Sequence, residues 1–149
     1  MKSLFEPDVY QQTLARIEAF SPTAQRQWGK MSAAQMLEHT SRAVEMAMGG
    51  GIQKQVLIGK LVSWMVWLSF IGEKPFSRNA PTGPEFKVRD EPDFAATKGK
   101  LAKRVKEFHA MGEKGCDGHV HRFFGKMTGA EWGISQYKHI DHHLRQFGA

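Results

Sequence analysis

The sequence predicts an all-α fold, one helical domain over residues 1–149. Three observations predict it. Apolar residues recur at helical spacing in several separate stretches. Two of those stretches open on Ser/Thr-x-x-Glu/Gln, the pattern of a helix N-terminus. No alternating apolar–polar run of useful length marks a strand, and the chain has no internal repeat or low-complexity tract.

The 149 residues are enough for one domain with a real core. With 41% apolar and 24% charged residues, the composition excludes a disordered chain. The formal charge is +6, but the basic residues are spread along the sequence. That distribution argues against a nucleic-acid partner and leaves an anionic substrate open. A single cysteine, Cys116, excludes an internal disulfide and points to a reducing compartment. The opening MKSLFEPDVYQQ has acids and a proline where an export signal has an apolar run, so the expected location is cytoplasmic.

The first helix is expected over Asp8 to Phe20, with Val9, Leu14, Ile17 and Phe20 near helical spacing and Pro7 in its lead-in. A linker with turn residues follows. Ser32 to Gln35 forms a capping box and starts a second helix, which runs to about Met48 and ends at the glycines 49–51. Val56 to Ile71 is the most apolar part of the chain. It has 16 residues, interrupted by Lys60, Ser63 and Ser69, whereas a membrane span needs about 20. It reads as a buried helix, or as one that covers a pocket or a second copy. Trp64 and Trp67 would be costly on a monomer surface. The segment from Glu73 to Phe94 carries four prolines and reads as a long irregular connection. A third long helix is expected from Asp93 to about Met111, with Phe94, Leu101, Val105 and Phe108 on one stripe. A loop follows. Thr128 to Glu131 is the second capping box and starts the last helix, which runs nearly to the C-terminus. These elements predict a bundle of four main helices plus the apolar segment.

The chemistry concentrates in YKHIDHHLRQF, residues 137–147. Residues i and i+4 of a helix share a face, about 5–6 Å apart. His139 and His143 have that spacing, so both imidazoles can reach one ion through N–metal bonds of about 2.0–2.1 Å. His142 is rotated away and should point outward. Tyr137, Ile140, Leu144 and Phe147 form the apolar stripe of this helix; His143 lies inside its edge and His139 at its margin. On the second helix, His39 sits at the margin of the stripe formed by Met36, Leu37, Ala43 and Val44. Taken singly, each has an ordinary alternative: a satisfied core histidine for His39, surface histidines for the pair. One inward histidine facing an inward HxxxH pair is more specific, and three neutral imidazoles leave metal positions open.

The sequence also resembles the DinB/YfiT-like superfamily of metal-dependent bundles, most closely an uncharacterised family within it. WGKMSAAQMLEHTSRA, KPFSRNAPTGPEF and HRFFGKMTGAEWGISQYKHIDHHLRQFG carry the resemblance. It implies a four-helix bundle with a long crossover between the second and third helices, here carrying the extra apolar helix. It implies a divalent metal, Zn²⁺, Ni²⁺ or similar, held by His39, His139 and His143. Better-known relatives are transferases that use low-molecular-weight thiols such as bacillithiol, mycothiol or glutathione; others are hydrolases or isomerases. For the most similar family the resemblance implies no activity.

Among other residues, Gln35, His121, Trp132, Gln136 and Tyr137 are candidates for the pocket or for contacts to the ligands. His119 and His121 precede FFG in a loop expected to be solvated, and His109 has no expected site role. Asp141 and Glu38 neighbour the ligands in sequence but point elsewhere, as surface charges. Cys116 reads as a bystander in a Gly-rich loop. No general base can be named. Two functions follow: a metal-dependent thiol-using transferase or hydrolase acting on a small molecule, or a non-catalytic homodimeric bundle whose metal is structural or absent. Attachment to a membrane surface through the apolar segment is a third reading.

Overall fold

Two capping boxes set the ends of the helices that matter most. In the computed structural model, which describes residues 1–51 and 53–149, the Ser32 hydroxyl accepts from Gln35 N and the Gln35 side chain accepts from Ser32 N, opening α2 (Ala33–Ala47). Thr128 and Glu131 do the same for α5 (Gly129–Gln146). Each box satisfies two of the backbone donors a helix start leaves free. Before α2 runs α1 (Pro7–Ala19), with proline in its first turn. Between α2 and α5 lie α3 (Leu57–Ile71), a short 3-10 turn (Pro84–Phe86) and α4 (Phe94–Cys116). The described residues are mostly helical.

The helices α1, α2, α4 and α5 pack on one another around a single core. Leu4, Ile17, Met36, Leu37, Val44, Leu101, Val105, Phe108, Trp132, Ile140 and Leu144 are all almost fully buried there. Each such side chain contributes about 1.5–3 kcal/mol by leaving water. The core pins α2 against α5, and so brings residues a hundred positions apart in sequence into contact.

Three expectations need correction. Of the two readings of the apolar segment, a buried helix or one that covers a pocket or a second copy, the first does not hold within the chain: only Gly59 of α3 is buried, and Trp64 is 75% exposed while Trp67 is half-buried. Composition gave the apolar run, but only one side of it meets the rest of the chain. Gly59 allows that contact, because a Cβ there would collide with the Phe123 carbonyl. The third long helix breaks at its expected end, since its regular turns run only to Met111. Gly112 takes φ 69°, a left-handed conformation, and a further helical stretch follows to Cys116. Cys116 is therefore a buried helix-end residue and not part of a loop. The expected loop after it holds a two-residue antiparallel pairing, β1 (Val120–His121) with β2 (Gly125–Lys126). Among the described residues, no helix is long and apolar enough to cross a membrane.

Candidate metal centre

His39 on α2 and His139 and His143 on α5 meet in space. One ring nitrogen from each lies within 4.8 Å of the other two. His39 Nε2 is 3.0 Å from His139 Nε2, and His143 Nε2 is 3.1 Å from the same atom. The rings stand edge to face, with centroids 4.7–5.0 Å apart. Two nitrogens bound to one ion at 2.0–2.1 Å would be separated by about 2.9 Å at a right angle and about 3.3 Å at the tetrahedral angle. The two contacts to His139 fall in that window, and the third pair, His39 with His143, lies within 4.8 Å.

Two of the three tautomers are set by their neighbours. His39 Nδ1 donates to the Phe86 carbonyl at 3.0 Å. His143 Nδ1 donates to Gln146 Oε1 at 2.8 Å, and Gln146 is oriented by donating its own Nε2 hydrogen to the Trp28 carbonyl at 2.8 Å. A neutral imidazole with its proton on Nδ1 carries a lone pair on Nε2. Both lone pairs therefore face His139 Nε2, which can donate at most one hydrogen. At least one contact sets lone pair against lone pair, and if His139 also carries its proton on Nδ1, both do. A cation at the centre would accept all three, so the residues fit a bound divalent ion.

Burial keeps these rings neutral. His143 is pushed down to about 3, chiefly by burial and then by the neighbouring His39. His139 is held well below its ordinary value by burial, then by His143 and His39. His39 is lowered by burial as well, although its bond to Phe86 opposes the shift. Neutral imidazole is the form that ligates metal.

The shell around the rings is built from both ends of the chain. The turn carrying Phe86 is held by Arg42, which donates to the Glu85 carbonyl at 3.3 Å, and by the Arg122–Glu85 ion pair at 3.2 Å. Gly29 adopts φ 81°, and a Cβ there would strike Gln146 Nε2, so WGKM needs its glycine for Gln146 to lie where it does. Phe86, Gln146 and Gly29 were not singled out from sequence. Gln146 has a readable signal, being three residues after His143 on one helix face. Phe86 contributes a backbone carbonyl, which leaves no signature in residue type. No carboxylate takes a ligand Nδ1; a carbonyl and a carboxamide do.

The remaining candidates separate. Gln136 is 3% exposed, one turn before His139, and its Oε1 is buried without a partner. Trp132 is fully buried and donates to the His119 carbonyl at 3.3 Å. His121 is half-buried against Phe70, Phe124 and Trp132, not solvated. Its Nδ1 accepts from Phe123 N and Phe124 N, and burial lowers its pKa to about 4. His119 is half-buried too, with Nδ1 2.9 Å from the Ala47 carbonyl. The Gln35 side chain is taken up by the α2 cap and the Asp90 carbonyl. Tyr137 lines a cavity of about 330 Å³ beside the centre, together with Trp28, Phe76, Arg78, Lys138 and His142. His142 is thus half-buried, 5.1 Å from the His143 ring, and does not point freely outward. Asp141 pairs with Arg16 and Glu38 with Arg42 and Lys100, away from the centre. His109 stacks on Tyr10, and burial raises the Cys116 thiol to about 11, which makes it a poor nucleophile.

A family model described as a protein of unknown function, DUF1569, matches residues 5–149, nearly the whole chain and every residue of the centre. The chain belongs to the DUF1569 family. No curated protein and no solved structure matches it. The geometry of this DUF1569 chain therefore carries the metal assignment.

Proposed function

We propose that this DUF1569 chain holds one divalent first-row metal ion through His39, His139 and His143, in a single domain over residues 1–149. We further propose that it acts on a small molecule, as a transferase using a low-molecular-weight thiol or as a hydrolase. The observation that carries the metal assignment is the focus of three Nε2 atoms with two Nδ1 atoms already bonded away. The activity rests on the resemblance to DinB/YfiT-like proteins. In that reading α1, α2, α4 and α5 are the four-helix bundle, and residues 49–92 are its crossover. When bound, such an ion supplies Lewis acidity and lowers the pKa of a thiol or water in an open position.

The chain's own residues do the rest. Burial keeps the three imidazoles unprotonated at neutral pH, so no proton competes for Nε2. Phe86 and Gln146 hold two of the rings in their ligating tautomer. The neighbouring cavity is of a size that takes a small molecule. Lys2, Arg78, Lys138 and Arg145 line it against Glu73 and Asp141, which favours an anionic substrate. Phe76, whose ring centroid is 6.4 Å from that of His139, forms the cavity wall on the side of the centre.

The test is metal content and turnover of protein purified without a histidine tag. The expected result is one ion per chain, lost in His39→Ala and His143→Ala, and metal-dependent consumption of a thiol or an ester in a substrate panel. Unchanged metal content in both variants overturns the ligand assignment. Metal-dependent stabilisation without turnover on any panel member leaves a metal-braced bundle and overturns the catalytic part.

A further inference from the structure

The α3 helix presents an apolar face that the rest of the chain leaves open. Leu57, Leu61, Trp64, Met65 and Leu68 are 77, 71, 75, 65 and 78% exposed, with Ile58 beside them at 57%. At about 100° per residue the first five fall within an arc of roughly 100°. Their spacing, four then three then four residues between Leu57, Leu61, Trp64 and Leu68, is that of a helix–helix seam. Six large apolar side chains on one face of the helix make a contiguous patch of about several hundred Å², approaching one side of a standard interface, roughly 800 Å².

The residues also indicate what covers it. A twofold interface must be complementary to itself. Reversing α3 about the point between Trp64 and Met65 exchanges Leu61 with Leu68, Ile58 with Ile71, and Trp64 with Met65. It sets Leu57 opposite Gly72, which leaves room for it. Lys60, the only charged residue of α3, falls opposite Ser69 and toward the carbonyl end of the facing helix, where a cation is favoured. A parallel arrangement would oppose Lys60 to Lys60, with no acid on the helix to relieve them.

We propose that two copies of this chain pair through the outer faces of α3, antiparallel, about a twofold axis at Trp64 and Met65. The inner face of α3 places Trp67 and Phe70 on Phe124, and Phe70 on Phe76, which reaches the metal centre. Pairing fixes that wall from outside. The inference is independent of whether a metal binds.

Light scattering of the untagged chain at tens of micromolar should give twice 16.8 kDa. Leu61→Glu and Leu68→Glu should each halve the mass with helical content and metal content unchanged, since both side chains are exposed. For the register, the double variant Leu61→Cys/Leu68→Cys should form an intermolecular disulfide, and Leu61→Cys alone should not. A wild-type monomer, or a dimer indifferent to both glutamates, overturns the proposal. So does a monomer that sediments with phosphatidylserine-containing vesicles, because lipid would then be the occupant. Crosslinking by Leu61→Cys alone overturns the antiparallel arrangement.

Discussion

Replacing Gln146 by leucine removes the link between the N-terminal linker and the metal centre. Its amide makes two 2.8 Å bonds, accepting from His143 Nδ1 and donating to the Trp28 carbonyl. At 3% exposure it admits little water in compensation. Gln146→Leu leaves a buried N–H and a partly buried carbonyl unpaired, at about 1–3 kcal/mol each, the carbonyl at the lower end. The metal-free protein should lose about 3 kcal/mol, which for a chain of this size lowers Tm by roughly 10 °C. The second effect is specific to the centre. With no acceptor at Nδ1, the His143 ring is free to turn or change tautomer, so Zn²⁺ affinity should fall about 10–100-fold, or about 1.4–2.7 kcal/mol. Competition against a chelating dye measures the affinity, and thermal melts of metal-free and loaded protein measure the rest. Gln146→Glu keeps an acceptor for His143 while losing the donor to Trp28, so it should retain metal affinity within a few-fold and still lose stability. A folded Gln146→Leu variant with wild-type affinity would refute the role given to this residue.

Three further outcomes are expected. His143 titrates near 3 in the folded chain against about 6.5 unfolded, so the unfolded state binds the extra proton and stability is lost as pH falls from 6.5 toward 3. At pH 5 this one group should cost the metal-free protein about 2 kcal/mol relative to pH 7.5, with His39, His121 and His139 acting in the same direction; urea midpoints at the two pH values check it, and a higher midpoint at pH 5 would contradict it. Gly29→Ala should destabilise by about 1–2 kcal/mol from its left-handed backbone alone and weaken Zn²⁺ binding through Gln146, both visible in the melt and the dye competition. Gln136 Oε1 and His139 Nδ1 are both buried and unpartnered, three residues apart on α5. Gln136→Leu should therefore leave the metal-free melt unchanged or raise it by a few degrees, while Zn²⁺ affinity drops several-fold; a large loss of stability would show that the amide is already satisfied.

What the sequence made legible was local. The capping boxes at Ser32 and Thr128 need only four consecutive residues, and both are present. His139 and His143 follow from helical spacing, and His39 from its place on the edge of an apolar stripe. The rest depends on which surfaces meet. Phe86 serves through its backbone, so residue type could not announce it. Gln146 was within reach of the spacing rule, but its role rests on Trp28, 118 positions away. The apolarity of α3 marked it for burial without saying against what; only the Gly59, Trp67 and Phe70 side finds a partner within the chain. His121 and His119 sit in a loop by composition, yet the short pairing of β1 with β2 folds them inward.

The most direct test of the three-histidine centre is X-ray absorption on metal-stripped, untagged protein reloaded with one equivalent of Zn²⁺. The expected spectrum shows three imidazole nitrogens at about 2.0–2.1 Å with the outer-shell scattering of histidine rings, falling to two in His39→Ala. A shell of water oxygens alone, a sulfur ligand, or a spectrum unchanged in His39→Ala would contradict it.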